Sequence, residues 1–138
     1  MRRNKAKVLE WITYAENDLG VASHLNKLYR PLPANIICWL CQQSVEKSYK
    51  AILAYHDIKI PKTHDIRLLQ NITMEYEPSI SIDVKIADKF TEFATESRYP
   101  DNVFDFTNED AEVGLKYAKI TLDNVIKMVQ LTEQSNHN

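Results

Sequence analysis

Apolar residues recur every three or four positions along most of this chain of 138 residues, a period typical of amphipathic helices. The clearest stripe consists of Ala111, Leu115, Ala118, Leu122, Val125 and Val129. The two glycines, Gly20 and Gly114, leave little material for tight turns, and their positions exclude GxGxxG and Walker A phosphate loops. We therefore predict an all-α fold.

The stripes divide into five predicted helices. They cover about 5–29, 33–55, 64–76, 82–97 and 108–132, and a polar, disordered tail follows them. Thr63 is predicted to cap the third helix, and Thr107 or Asn108 the last. The five helices together predict an antiparallel up-and-down helical bundle in a single domain, residues 1–138, with its core at about 5–132.

Charge and hydropathy limit the classes of partner. The net charge of -2 gives no bulk attraction to nucleic acid. Four basic residues within the first seven form either a local basic patch or a solvated end. No apolar run reaches the length of a membrane span and no signal peptide is visible, so we expect a cytoplasmic protein without a membrane partner.

Metal and redox chemistry are not indicated. Cys38 and Cys41 have CxxC spacing but lie within an apolar helix, so we interpret both as small buried residues. The four histidines are scattered, without partners at a metal-ligand spacing. We expect neither a metal site nor a cofactor.

A row of polar residues follows one face of the second predicted helix. Gln43, Glu46, Lys47 and Lys50 recur at spacings of three and four. The row has two interpretations, a ligand-binding face or a structural hydrogen-bond network between helices. Ser44 and Ser48 beside it are small enough to let another helix approach closely.

A second polar cluster follows the fourth helix, where Pro100 biases the chain away from helical angles. Arg98 is the best single candidate to bind a phosphate or carboxylate, because its guanidinium donates two parallel hydrogen bonds. Tyr99 could stack on a base, and Asp101 adds an acidic group. His64 lies at the start of the third predicted helix. It has two interpretations, a helix-end residue with local hydrogen bonds or a ligand contact.

Three motifs in this order resemble the HEPN domain family. They are residues 41–51 (CQQSVEKSYKA), residues 61–66 (PKTHDI) and residues 98–101 (RYPD). The resemblance extends over about residues 5–132 and implies a helical bundle that forms homodimers. It also implies a prokaryotic protein encoded beside a minimal nucleotidyltransferase in a toxin–antitoxin-like unit. Trp39 and Tyr49 are apolar residues that a second copy could cover.

Many HEPN members are metal-independent endoribonucleases, with an arginine, four to six intervening residues and a histidine. Arg98 matches that arginine, but Val103, Phe104 and Asp105 occupy the histidine positions, which removes the obvious acid–base group. The leading hypothesis is therefore a non-catalytic protein that binds a nucleotide or pairs with a nucleotidyltransferase. The alternatives are a ribonuclease using Arg98 with Asp101 or His64, and a dimeric scaffold without a ligand.

Overall fold

The computed structural model describes residues 5–96 and 105–137. Within them the backbone forms five helices and no strand, and the predicted all-α bundle is confirmed. The helices are α1 (Lys5–Leu28), α2 (Ala34–Tyr55), α3 (Ile66–Met74), α4 (Val84–Glu96) and α5 (Asn108–His137). None of these five helices is both long enough and apolar enough to cross a membrane.

The central helix is α2, which packs against each of the other four. Every residue from position 48 to position 55 is buried, so this stretch has no solvated face. Polar side chains on such a helix need partners inside the protein. Ser48, Tyr49 and Lys50 have them, whereas the buried hydroxyl of Tyr55 has none among the described residues. The polar row on α2 is therefore constrained by the packing of the whole bundle.

Small residues let α1 and α5 approach α2 closely. The buried hydroxyl of Ser44 donates a hydrogen bond to the carbonyl oxygen of Ala15 at 2.8 Å. On the other side, a methyl group at Gly114 of α5 would lie 3.3 Å from the Cβ of Cys41. The predicted small residues of α2 therefore form its contact with α1, and Gly114 makes room for α2 on α5.

The prediction that Tyr49 offers apolar surface to a second copy is wrong. Its side chain is fully buried, and its hydroxyl donates to Gln70 Oε1 at 2.6 Å. Gln70 also accepts from the Ile82 N–H at 2.9 Å and donates to the Ile82 carbonyl at 3.0 Å. Tyr49 thus connects α2 with α3 and with the segment before α4, and this burial raises its pKa.

The cysteines are buried and free, as expected from the sequence. Burial, reinforced by the negative charge of Asp110, raises the pKa of Cys38 to about 12. Burial also raises the pKa of Cys41, with Cys38 contributing to the rise. Both residues therefore remain thiols at neutral pH, and they fill space beside α5 as small apolar side chains do.

Two predicted helix ends are wrong. The N-cap of α3 is Asp65, whose carboxylate accepts from the Leu68 N–H at 3.1 Å, whereas Thr63 accepts from the N–H of Asp65. A carboxylate suits this position because it also complements the helix dipole. At the other end of the chain, α5 continues to His137, since no proline or glycine stops it.

The N-terminus of α5 has a reciprocal cap. Thr107 Oγ1 accepts from the Asp110 N–H at 3.0 Å, and Asp110 Oδ2 accepts from the Thr107 N–H at 3.1 Å. Lys89 of α4 contacts the other oxygen of Asp110 at 2.8 Å. Burial acts to raise the pKa of Asp110, but the hydrogen bonds from Lys89 and Thr107 outweigh it and the pKa lies below its ordinary value.

We expect Asp110→Asn to lower the free energy of unfolding by about 1 kcal/mol at neutral pH. A carboxyl whose pKa is lowered by folding stabilises the protein above its unfolded pKa of about 4, and this contribution is lost as the pH falls through the folded pKa. The difference between the two proteins should therefore shrink below about pH 4. Urea denaturation at several pH values measures it, and an unchanged difference at low pH would contradict the assignment.

Candidate functional site

The polar row on α2 is divided between two neighbours in the bundle. Lys47 faces α1, where its ammonium contacts Asp18 Oδ2 at 2.6 Å and lies 5.9 Å from the centre of the Tyr14 ring. Glu46 instead contacts His64 in the connection between α2 and α3, residues 56–65, and Lys50 pairs with Glu46. Gln43 is half-buried and donates to Gln42 Oε1 at 2.8 Å.

A buried carboxylate lies at the centre of this arrangement. Glu46 Oε1 accepts from Gln42 Nε2 at 3.0 Å and contacts His64 Nδ1 at 2.7 Å, and Glu46 Oε2 accepts from Lys50 Nζ at 3.0 Å. Only 5% of the Glu46 side chain and 10% of the Lys50 side chain is exposed. We call these four residues the Glu46 network. Its hydrogen bonds compensate the cost of burying two charges.

His64 is the exposed member of the Glu46 network, with 58% of its side chain accessible. Asp65, the next residue, caps α3, and this cap fixes the backbone that carries the imidazole beside α2. Because an ionised carboxylate can only accept, Nδ1 donates to it and Nε2 is the ring nitrogen presented to a ligand. The structure thus places His64 beside the polar row.

Lys50 joins the Glu46 network to an aromatic side chain. Its ammonium lies 5.7 Å from the centre of the Trp11 ring, a cation–π distance. Trp11 belongs to α1 and is half-buried, so part of its indole remains accessible. We call the surface formed by Trp11, Tyr14, Lys47, Lys50 and His64 the polar groove.

Trp11 and Lys50 of the polar groove also line a cavity of about 680 Å³, which we call the lysine cavity. Its walls come from the start of α1, the end of α2 and the α2–α3 connection. Its charged and aromatic lining residues are Lys7, Trp11, Lys50, Asp57, Lys59 and Lys62. A cavity of this size can enclose most of a small organic ligand.

The backbone turns sharply where α2 ends at this cavity. Asp57 has φ of 60°, in the left-handed region. Its N–H bonds the carbonyl of Ala54, and the N–H of Ile58 bonds the carbonyl of Leu53. This pattern is a Schellman motif, in which glycine is the usual residue at the left-handed position. An aspartate here tolerates the conformation and adds a carboxylate to the cavity wall.

The sequence-predicted site residues have different outcomes. Gln43, Glu46, Lys47, Lys50 and His64 lie on or beside the polar groove, although Glu46 and Gln43 are engaged in hydrogen bonds inside the protein. The other three predicted residues, Arg98, Tyr99 and Asp101, lie outside the described residues.

Sequence reasoning missed Gln42, Trp11, Asp57 and the three lysines at positions 7, 59 and 62. The alternation of apolar and basic residues in IKIPK, residues 58–62, was the available signal for two of these lysines. No set of three or more His, Cys, Asp or Glu side chains in 5–96 and 105–137 is placed to hold a metal ion.

Comparisons with known proteins agree with this architecture. The model of the HEPN domain matches residues 8–129. The bundle superposes on TT1696 from Thermus thermophilus with a TM-score of 0.73 and 20% identity, and on ST0689, an archaeal HEPN homologue, with a TM-score of 0.63 and 23% identity. Each alignment covers 88% of this chain and 97% of the other, and it shows the fold alone. Curated protein sequences give no match.

We expect Glu46→Gln to lower the free energy of unfolding by roughly 2–4 kcal/mol, because it leaves the ammonium of Lys50 buried without a counter-charge. Glutamine still offers Oε1 to Gln42 and His64. Adding Lys50→Met removes the buried cation and should recover much of the loss. Urea denaturation of the single and double variants measures both effects.

The exposed pair Lys119–Asp123 is the control. It has the same i,i+4 spacing, but its side chains are 71% and 59% exposed. Asp123→Asn should cost less than about 1 kcal/mol. An equal cost for Glu46→Gln and Asp123→Asn would contradict the structural role of the Glu46 network.

Proposed function

The chain belongs to the HEPN domain family, and we propose that it binds an anionic nucleotide in the polar groove. The single observation that carries this proposal is the placement of Lys50. Its ammonium is held by the buried carboxylate of Glu46 on one side and lies over the accessible ring of Trp11 on the other. A fixed cation beside an aromatic face matches a ligand that combines a phosphate with a base.

The surroundings of Lys50 support the same ligand class. Trp11 can stack on a nucleobase, an interaction that contributes about 1–3 kcal/mol per base. Exposed Nε2 of His64 is a second polar contact, and its orientation is determined by the hydrogen bond to Glu46. Because Lys50 and His64 are held by their contacts with Glu46 before a ligand arrives, little of their conformational entropy is lost on binding.

The family resemblance extends the proposal to partners. A cytoplasmic homodimer that pairs with a minimal nucleotidyltransferase in a toxin–antitoxin-like unit is consistent with family membership. In that arrangement the chain would recognise the nucleotide and its partner would transfer the nucleotidyl group. Light scattering at micromolar concentration separates a dimer from the monomer of 16.0 kDa.

A second candidate function, metal-independent RNA cleavage, is favoured by the contact between His64 and Glu46. A histidine whose Nδ1 donates to a buried carboxylate has the tautomer and orientation of a general acid–base group. Against it, Val103, Phe104 and Asp105 stand where the family's ribonucleases have their histidine. Nucleotide binding without cleavage is therefore the first proposal.

We expect the purified protein to leave single-stranded RNA intact in the presence of EDTA. Electrophoresis of a labelled RNA after prolonged incubation measures this. Cleavage that is lost in both Arg98→Ala and His64→Ala, but retained in His24→Ala, would replace the first proposal with the second. His24 is an exposed histidine of α1 and serves as the matched control.

We expect Trp11→Leu to weaken nucleotide binding by roughly fivefold to a hundredfold, because a base loses its stacking surface. Isothermal titration with adenosine and guanosine nucleotides measures the dissociation constants. Tyr29→Leu is the control, since Tyr29 is an exposed aromatic residue just beyond the end of α1.

Arg98→Ala should weaken binding by about tenfold to a hundredfold if its guanidinium contacts a phosphate. Thermal unfolding confirms that each variant is folded. Equal affinities of wild type and both variants would contradict a binding site that contains Trp11 and Arg98, and no binding by the wild type would leave the domain as a scaffold.

A further inference from the structure

The lysine cavity carries more positive charge than the structure neutralises. Lys50 is already paired with Glu46, so the three lysines Lys7, Lys59 and Lys62 face a single acidic lining residue, Asp57, which leaves a formal surplus of two positive charges. Within the described part of the chain these three lysines form no ion pair. The whole chain has a net charge of -2, so this surplus is a local feature.

Helix stability does not explain the lysine from α1. The first turn of α1 contains Lys5 and Lys7 and no acidic residue. Cations at a helix N-terminus oppose the helix dipole, whereas an anion there is favourable. An anion in the lysine cavity would therefore offset the positive charge of Lys7.

The other two lysines are carried by a backbone that the core holds in place. Ile58 and Ile60 are half-buried and pack against the hydrophobic core, and they flank Lys59. Lys62 follows Pro61, whose ring restricts the backbone. The ammonium groups thus extend from an anchored segment, which reduces the entropy lost when they bind a ligand.

The number and spread of these cations exceed what one phosphate group requires. They come from two separate parts of the chain, α1 and the α2–α3 connection, and line a cavity of about 680 Å³, a size that can enclose most of a small ligand. A linear chain of phosphates can contact cations on several walls at once. Trp11 lines the same cavity beside Lys50, so a base attached to the phosphates would find an aromatic face there.

We propose that the lysine cavity binds a polyphosphate chain, so that the ligand of this domain carries two or more linked phosphates. This inference rests on the proposed nucleotide binding and specifies its ligand class. A nucleoside triphosphate and inorganic polyphosphate share this chemistry, and they differ in whether Trp11 contributes. Asp57 opposes the bound anion and limits its affinity.

The test compares the binding of AMP, ADP, ATP and inorganic tripolyphosphate to the wild-type protein and to the double variant Lys59→Gln, Lys62→Gln by isothermal titration. Both lysines are exposed, so the variant retains the core. We expect wild type to bind ATP more tightly than AMP. The double variant should lose roughly tenfold to a hundredfold in ATP affinity and much less in AMP affinity. Lys119→Gln, an exposed lysine of α5, is the control and should change neither.

The variant Asp57→Asn should change ATP affinity in the opposite direction from the lysine variant. Asparagine tolerates the left-handed conformation as well as aspartate does, so the turn is retained while the negative charge is removed. ATP affinity should rise several-fold, and the gain should shrink at high salt because the interaction is electrostatic. A general loss of folding would instead change Tm, which thermal unfolding reports.

The outcomes separate this inference from the proposed function. If AMP and ATP bind with equal affinity, and neither affinity changes in the lysine variant or in Asp57→Asn, the polyphosphate site is overturned and the proposed nucleotide binding stands. A second outcome is that tripolyphosphate binding requires the lysines while Trp11→Leu binds ATP as tightly as wild type. This would support the lysine cavity and overturn the proposed nucleotide binding. Absence of binding by all four probes would overturn both.

Discussion

A buried carboxylate in the central helix is the constraint on which the candidate site depends. Glu46 lies on the helix that packs against all four others, where an ionised group is costly unless it is fully hydrogen-bonded. Two of its partners, Gln42 and Lys50, lie one helical turn away on α2, but the third is His64 in the connection before α3. Satisfying Glu46 therefore holds that connection against α2.

The position of the connection then determines the surface around it. With His64 held beside α2 and Ile58 and Ile60 packed on the core, the lysines at 59 and 62 line a cavity opposite the start of α1. The Ser44–Ala15 hydrogen bond draws α1 close to α2, so Trp11 lies over the ammonium of Lys50. One internal electrostatic requirement and one close helix contact thus build a basic, aromatic-walled surface.

The structure also separates two kinds of charged residue that look alike in the sequence. Lys47 and Lys50 follow each other on one helical face, yet Lys47 pairs with Asp18 of α1 and Lys50 completes the Glu46 network. The structural-network interpretation of the polar row applies to the atoms that bond to one another inside the bundle. The ligand-face interpretation concerns the atoms that line the cavity. Glu46 is internal, while Lys50 is shared between the network and the cavity.

Local information in the sequence determined the helices and most of the fold. The repeat of apolar residues at three and four positions, the small residues Ser44 and Ser48, and the prolines after α1 act over one or two helical turns, and they placed all five helices. The sequence did not determine the cap of α3, because Thr63 and Asp65 are both good N-cap residues and only the position of the first helical residue distinguishes them.

The sequence also determined that Glu46 and Lys50 share a face, since this follows from helical spacing alone. Only the tertiary structure decided that His64, 18 positions from Glu46, is its hydrogen-bond partner, and that Trp11 and Lys7 of α1 border the same cavity as Lys59 and Lys62. These contacts join residues far apart in the chain. Their geometry depends on how closely the helices pack around α2. This is a property of the assembled core, and a local sequence pattern does not determine it.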